Sequence, residues 1–141
     1  CELCHRPGGE LLWEDELCRV VAVADADYPG FCRVILARHA AEMTDLADDE
    51  RSALMQVVFT VEATLRHLYR PDKINLASFG NVGPHVHWHV IPRWHDDRHF
   101  PQPVWAAPQR PSGAVPPSLP LRLLAGELRA RLGAGRNPFE E

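Results

Sequence analysis

The chain has 141 residues, of which 45% are hydrophobic and 24% are charged, with a formal net charge of −4 at pH 7. This length is enough for one compact domain with a core. The acidic balance argues against nucleic-acid binding through a broad basic surface, and no apolar run reaches the roughly 20 residues that cross a bilayer. No secretion signal opens the sequence, so we expect a cytoplasmic protein.

Three short strands are predicted in the N-terminal part of the chain. Residues 11–14 and 18–24 flank an acidic turn, and the second run is rich in β-branched residues, as strands are. The Pro29-Gly30 pair predicts a turn. Residues 31–37 then form the third predicted strand.

A long amphipathic helix is predicted next. Apolar residues recur at spacings of three and four over residues 54–68, which is the period of a helix with one buried face. Asp48 or Asp49 can cap its N-terminus. Pro71 predicts an end near Tyr69, because the residue before a proline avoids helical geometry.

Two further strands and a short helix are predicted in the C-terminal half. Residues 73–78 form the fourth strand, a glycine-containing loop covers residues 79–84, and the fifth strand ends at Pro92. Seven of the thirteen prolines fall within residues 101–120, which indicates an extended segment. Residues 121–132 can form an amphipathic helix.

This order of elements predicts the fold class. We expect an α+β protein with a five-stranded antiparallel meander sheet and one long helix packed on it. The predicted domain covers residues 1–105. Residues 106–141 are predicted to be a proline-rich tail with a short C-terminal helix.

Residues 85–91, in the predicted fifth strand, read HVHWHVI. Alternate residues of a strand point to the same side of a sheet, so we expect His85, His87 and His89 to share one face. Neighbouring imidazoles can bind a metal ion, or one of them can attack phosphorus and form a phosphoramidate that water later hydrolyses. Three purely structural histidines are disfavoured, because each buried ring nitrogen needs a hydrogen-bond partner.

The cysteines divide into two pairs. Cys1 and Cys4 form a C-x-x-C motif, which is the spacing of half a tetrahedral zinc site. In a reducing compartment this motif indicates metal or redox chemistry rather than a disulfide, and two unliganded thiols are the alternative. Cys18 and Cys32 lie in predicted strands and are interpreted as small buried hydrophobic residues.

The HVHWHVI run matches the signature of the histidine triad superfamily of nucleotide hydrolases and transferases. Residues 75–84 resemble the phosphate loop of that family, and residues 38–46 resemble its connection to the long helix. Downstream, Arg93, Asp97 and Phe100 resemble the dinucleoside polyphosphate hydrolases of the fragile-histidine-triad type.

The resemblance implies hydrolysis of a nucleotide phosphoanhydride, with a substrate such as diadenosine tetraphosphate, through a nucleotidyl-histidine intermediate. His87 would be the nucleophile, the main-chain carbonyl of His85 would accept its ring N–H, and His89 would contact the phosphate or the leaving oxygen. A histidine at position 89 favours hydrolysis, because the hexose-phosphate uridylyltransferases of the superfamily carry glutamine there. The positions that match substrate contacts of the family are Asn75, Ser78, Asn81 and Gly83.

The resemblance also implies a structural zinc ion and a homodimer. Many bacterial members of the superfamily complete a C-x-x-C zinc site with a histidine before the helix and the first triad histidine. The matching residues are Cys1, Cys4, His39 and His85. Two other functions stay open, a nucleoside phosphoramidase and a non-catalytic nucleotide-binding or interaction protein.

Three features depart from the pattern of the superfamily. Phe31 stands where a histidine usually follows the glycine before the third strand. Val82 replaces a hydroxyl residue, so that side chain is unavailable to protonate a leaving group. The loop before the triad is one residue shorter than usual. These departures bear on the identity of the substrate more than on the class of reaction.

Overall fold

The computed structural model describes residues 1–139. No helix in this range is long and apolar enough to cross a membrane. The elements in chain order are helix α1 (Glu2–His5), strands β1 (Glu10–Glu14), β2 (Cys18–Ala22) and β3 (Cys32–Leu36), a 3₁₀ turn (Met43–Asp45), helix α2 (Asp48–Tyr69), strands β4 (Lys73–Ala77) and β5 (His87–Arg93), and helix α3 (Leu121–Leu132).

The strands form one antiparallel sheet in the order β1-β2-β3-β5-β4. The predicted fold class, α+β with a five-stranded antiparallel sheet and a long helix packed on it, is confirmed. The strand order departs from a simple meander at one point, where β5 lies between β3 and β4. Since both neighbours run antiparallel to β5, they are parallel to each other, and parallel strands need a long crossover connection. Helix α2 provides that crossover, and β5 then fills the gap.

Helix α2 packs its apolar face on the sheet, and its C-terminus falls at Tyr69 as predicted. The N-cap differs from the prediction: it is Ala47, whose main-chain N–H donates to the Glu50 carboxylate at 2.9 Å. A carboxylate three residues into the helix therefore does the capping that was expected of Asp48 or Asp49. The buried residues of the helix are Leu54, Val57, Val58, Val61, Thr64, Leu65 and Tyr69.

The C-terminal segment packs on the same core as the rest of the chain. Residues 101–120 contain no helix or strand. Helix α3 then packs against α2 and β1 and buries Leu124, Ala125 and Leu128. The boundary at residue 105 stays a prediction, and residues 140 and 141 of the predicted tail lie outside the described part of the chain.

The two faces of the sheet have different neighbours. One face, with Val34 and Val90, packs in the core beneath α2. The other face carries His87 and His89, because alternate residues of β5 point to the same side of the sheet. Arg33 of β3 lies directly opposite His89 in the antiparallel register. This second face therefore carries His87, His89 and Arg33.

Candidate active site and metal centre

The histidines of the HVHWHVI run lie in two environments. His87 and His89 lie on β5 and line a cleft. His85 precedes the strand, and its buried ring lies beside the thiols of Cys1 and Cys4. The structure therefore places the His85 ring with the two thiols and the other two rings at the cleft.

A turn in the main chain separates His85 from the strand. Pro84 has no N–H for a sheet ladder, and the N–H of His85 bonds back to the carbonyl of Gly83 at 2.8 Å. The chain therefore bends before β5 begins. This bend carries the His85 ring away from the cleft.

His87 is held in one tautomer by the main chain. Its Nδ1–H donates to the carbonyl oxygen of His85 at 2.6 Å, because a carbonyl can only accept. The lone pair therefore lies on Nε2, which is the nitrogen that can act as a nucleophile. Ser78 donates its hydroxyl to the carbonyl of His87 at 2.7 Å and so fixes the other side of this main chain.

His89 is buried among rings and has unmet hydrogen-bonding capacity. Its centroid lies 5.1 Å from that of His87, 4.9 Å from Trp105 and 5.9 Å from Phe31. Its Nδ1 has no hydrogen-bond partner within residues 1–139. Burial, with the nearby His87 and Arg33, lowers the pKa of His89 to about 4. The ring is therefore neutral near pH 7, and Phe31 offers it no polar contact.

The cleft beside these histidines has a volume of about 410 Å³ and an aromatic wall. Phe79 and Trp105 meet edge to face with centroids 4.9 Å apart, and their side chains are 57% and 51% exposed. Such rings can stack against a flat group such as a nucleobase. The cleft is lined by Phe79, Gly80, Asn81, Val82, Gly83, His87, His89 and Trp105.

The four positions expected to contact substrate lie in different surroundings. Asn81 and Gly83 line the cleft with the histidines. Ser78 is engaged with the main chain of His87. Asn75 lies further along β4, where its side-chain oxygen accepts from Arg93 at 2.7 Å. The structure therefore brings two of the four to the cleft itself.

Arg93, the last residue of β5, forms a buried ion pair with Asp97. Nε of Arg93 lies 2.8 Å from Oδ2 of Asp97, and Nη2 lies 3.0 Å from Oδ1. Nη2 also donates to the carbonyl of Gln102 at 2.7 Å. Although burial alone would raise the pKa of Asp97, hydrogen bonds from Arg93 and from main-chain N–H groups hold it below its usual range. The pair thus fixes the turn that leads to Trp105.

Four side chains of types that can bind a metal ion meet around the His85 ring. Cys1, Cys4, His39 and His85 place one donor atom each within 4.8 Å of one another. Nδ1 of His85 lies 3.4 Å from Sγ of Cys1 and 3.5 Å from Sγ of Cys4. Nδ1 of His39 lies 3.4 Å from Sγ of Cys4. Two thiols and two imidazoles are a typical donor set for a tetrahedral metal ion.

The His85 ring is prepared to act as a metal ligand. Its Nε2–H donates to the carbonyl of Leu36 at 2.7 Å, so Nδ1 presents its lone pair to the thiols. Burial lowers the pKa of His85, which favours the neutral form that binds metals. The same residue thus contributes its ring to the candidate metal cluster and its carbonyl to the hydrogen bond of His87.

Arg19 holds the N-terminal segment that carries the two thiols. Its guanidinium donates to the main-chain carbonyls of Leu3 at 2.8 Å, Arg6 at 2.9 Å and Pro7 at 2.9 Å. Sequence reasoning missed this contact and also the position of Arg33 opposite His89. A lone sequence carries no signal for either, because it does not give the pairing register of the strands.

Solved structures of histidine triad proteins have a similar fold. A histidine triad protein from Bradyrhizobium japonicum matches with a TM-score of 0.69 and 27% identity, over 86% of this chain and 90% of that one. A Zn-bound histidine triad family protein from Mycobacterium smegmatis has a TM-score of 0.55 and 20% identity, over 88% of this chain and 84% of that one. The second likeness is one of fold.

Sequence comparison gives the family. The chain belongs to the HIT domain family, whose model matches residues 8–96. It is also 31% identical over 78 residues to an AP-4-A phosphorylase from Mycobacterium tuberculosis H37Rv, a stretch that covers 51% of this chain and 40% of that protein. The match therefore covers less than half of that relative.

Proposed function

We propose that this protein is a nucleotide-processing enzyme that hydrolyses a phosphoanhydride bond of dinucleoside polyphosphates. The observation that carries the proposal is the Nδ1–H bond of His87 to the His85 carbonyl, which leaves Nε2 free beside a neutral His89. Membership of the HIT domain family supports a nucleotide substrate. The AP-4-A phosphorylase relative supports a dinucleotide.

In the proposed first step, Nε2 of His87 attacks the α-phosphorus of the bound nucleotide. The bond to the bridging oxygen breaks, its electrons leave with the departing nucleotide, and an N–P bond forms. The ring becomes cationic in the intermediate, and the carbonyl of His85 stabilises that charge through the Nδ1–H bond. An N–H of neutral His89 donates to a phosphate oxygen. Water then attacks phosphorus and releases His87.

The exposed Val82 favours an anhydride over a phosphoramidate as substrate. A departing phosphate is stable as an anion near pH 7 and needs no proton, whereas a departing amine does. Val82 stands where the superfamily has a hydroxyl residue, and its side chain is fully exposed in the loop. A phosphoramidase is therefore the second candidate. The aromatic wall of Phe79 and Trp105 suits a nucleobase in either case.

We also propose that Cys1, Cys4, His39 and His85 hold a structural zinc ion. Zinc bonds of about 2.3 Å to sulfur and 2.05 Å to nitrogen place these atoms about 3.6 Å apart in a tetrahedron. The sulfur–nitrogen distances of 3.4 to 3.5 Å fit that geometry, and the Zn-bound relative from Mycobacterium smegmatis supports the metal. Such an ion would anchor helix α1 to the sheet. The homodimer and the cytoplasmic location stay predictions.

The test is a substrate panel combined with mass spectrometry of the quenched protein. Diadenosine triphosphate, diadenosine tetraphosphate and adenosine phosphoramidate are each mixed with wild type and with His87→Ala. We expect an adenylyl adduct on the peptide that contains His87, formed fastest from a polyphosphate and absent from the variant. Faster turnover of the phosphoramidate would favour the second candidate. No adduct and no turnover with any substrate would leave only a nucleotide-binding protein.

The identity of the acceptor needs a separate measurement, because the curated relative is a phosphorylase. With water as acceptor the adenylyl group leaves as AMP, and with inorganic phosphate it leaves as ADP. We expect AMP from diadenosine tetraphosphate whether or not phosphate is present. ADP formed in proportion to added phosphate would instead assign phosphorolysis.

A further inference from the structure

The buried polar atoms without partners concentrate at one place on the histidine face of the sheet. Within residues 1–139, three buried side-chain nitrogens lack a hydrogen-bond partner: Nε of Arg33, Nδ1 of His89 and Nε of Arg98. The first two belong to residues that are directly paired across β3 and β5. A buried donor without an acceptor is costly, and most buried polar groups are paired. Two unpartnered nitrogens on residues that lie opposite each other therefore call for a functional explanation.

Arg33 also carries a charge without a counterion. Its Nη1 donates to the carbonyl of Gly8 at 2.9 Å, and its guanidinium carbon lies 6.0 Å from the centroid of the Phe31 ring. No carboxylate of the described residues lies within ion-pair distance of it. Burial lowers the pKa of Arg33, but a guanidinium keeps its proton near pH 7.

The register places Arg33 next to His89, which in turn neighbours His87, the proposed nucleophile. Residues directly opposite in an antiparallel sheet have Cβ atoms about 5 Å apart, and the His89 ring lies 5.1 Å from the His87 ring. A guanidinium at the end of a long side chain can reach an anion held at His87. Guanidinium groups bind phosphate oxygens through paired N–H donors.

We propose that Arg33 is a substrate-binding residue whose guanidinium donates to phosphate oxygens of the nucleotide held at His87. This inference rests on the proposed function of the site. The bound phosphate supplies the countercharge that no residue from 1 to 139 provides and accepts the hydrogen bond left unmet at Nε of Arg33. The cation then offsets the negative charge that the nucleophile has to approach.

The experiment is calorimetric titration with adenosine, AMP and ADP of wild type, Arg33→Met, Arg33→Lys and Arg38→Met. The last variant is the control, because Arg38 lies on the surface, paired with Glu50. For Arg33→Met we expect AMP affinity to fall about tenfold to a hundredfold, with adenosine affinity unchanged. Arg33→Lys should lose less, since it keeps the charge without the planar donor pair. Arg38→Met should match wild type for all three ligands.

The ligand series also locates the phosphate group. A loss already present with AMP assigns Arg33 to the reacting phosphate, and a loss seen only with ADP assigns it to the next phosphate. Unchanged affinity for both nucleotides in a folded Arg33→Met, or equal losses for adenosine and AMP, would overturn the proposal. If Arg33→Met does not fold because the bond to Gly8 is lost, Arg33→Lys decides by the same comparison. Since binding is measured, the result stands apart from whether wild type turns over any substrate.

Discussion

Arg93 and Arg33 lie on the same face of the sheet, but their guanidinium groups differ in burial and in hydrogen-bond partners. Arg93 is almost fully buried, and its donors are met by the carboxylate of Asp97, the amide of Asn75 and the carbonyl of Gln102. Arg33 is half-buried, has one carbonyl contact, and leaves its Nε unmet.

The contrast separates architecture from function. Buried groups that are fully satisfied fix a unique arrangement of the chain, whereas the unmet groups beside the proposed nucleophile are where we propose that a ligand binds. His85 lies at the boundary, because both of its ring nitrogens have partners while its carbonyl orients His87. Substitutions of residues whose buried polar groups are paired should therefore lower stability. Substitutions of residues whose polar groups are unpaired should lower activity.

The largest effect is expected from His87, the proposed nucleophile. His87→Ala should lower kcat by at least about three orders of magnitude on the best substrate, because covalent catalysis needs that nitrogen. Its urea unfolding curve should stay close to that of wild type. A variant that kept more than about a tenth of wild-type kcat would show that His87 is not the nucleophile.

The buried ion pair should give the reverse result. Asp97→Ala leaves the Arg93 charge buried without its partner, and we expect the free energy of unfolding to fall by about 3–5 kcal/mol. Urea denaturation measures this loss, and Asp96→Ala, at the exposed neighbouring residue, is the matched control. Equal stability of the two variants would contradict a structural role for the pair.

The lowered pKa of His89 predicts a dependence of stability on pH. The unfolded ring has a pKa near 6.5, and the folded ring has a pKa of about 4, so the unfolded state binds more protons between these values. Stability is therefore complete above about pH 6.5 and falls as the pH drops towards 4, by about 2 kcal/mol at about pH 5.

The control for this pH effect is His89→Asn, which removes the titrating ring. The difference in unfolding free energy between about pH 7.5 and pH 5 should be smaller in the variant than in wild type by about 2 kcal/mol. This comparison cancels the protonation of the metal cluster, which both proteins share. Parallel pH profiles would show that the folded His89 ring titrates at its ordinary pKa.

The smallest effect on turnover is expected from the metal cluster. Wild type should contain near-stoichiometric zinc, and Cys4→Ser should lose it, because one of four donors is weakened. Brief chelation should leave turnover nearly unchanged, since the proposed ion takes no part in the chemistry. Protein purified without chelator that holds no zinc would remove the site, and a rapid loss of turnover with the fold intact would assign a catalytic metal.

Periodicity was enough to predict the five strands and the helices α2 and α3, whereas the candidate site residues came from the resemblance to the histidine triad superfamily. The helix ending at Tyr69 and the strands around it follow from local patterns that physical chemistry imposes on each element alone. Alternation within one strand does not reveal which strand lies beside it. The insertion of β5 between its neighbours, and with it the pairing of Arg33 with His89, therefore needed the structure.

The bend at His85 was missed for a related reason. A two-residue repeat applies only within the strand, and β5 begins at His87, after the bond from the N–H of His85 to the carbonyl of Gly83. The proline at position 84 was the available signal. The resemblance nevertheless grouped His85 with Cys1, Cys4 and His39, the same four residues that the structure brings together.

Helix α3 has a consequence for exchanging this domain between proteins. The family match ends at residue 96, but Leu124, Ala125 and Leu128 fill the space between α2 and β1. A domain truncated at residue 96 would expose that apolar surface to water and promote self-association. The segment that has to be transferred is therefore longer than the segment that matches the family model. Helix α3 must be transferred together with the histidines, although it lies far from them in the sequence and takes no part in their proposed chemistry.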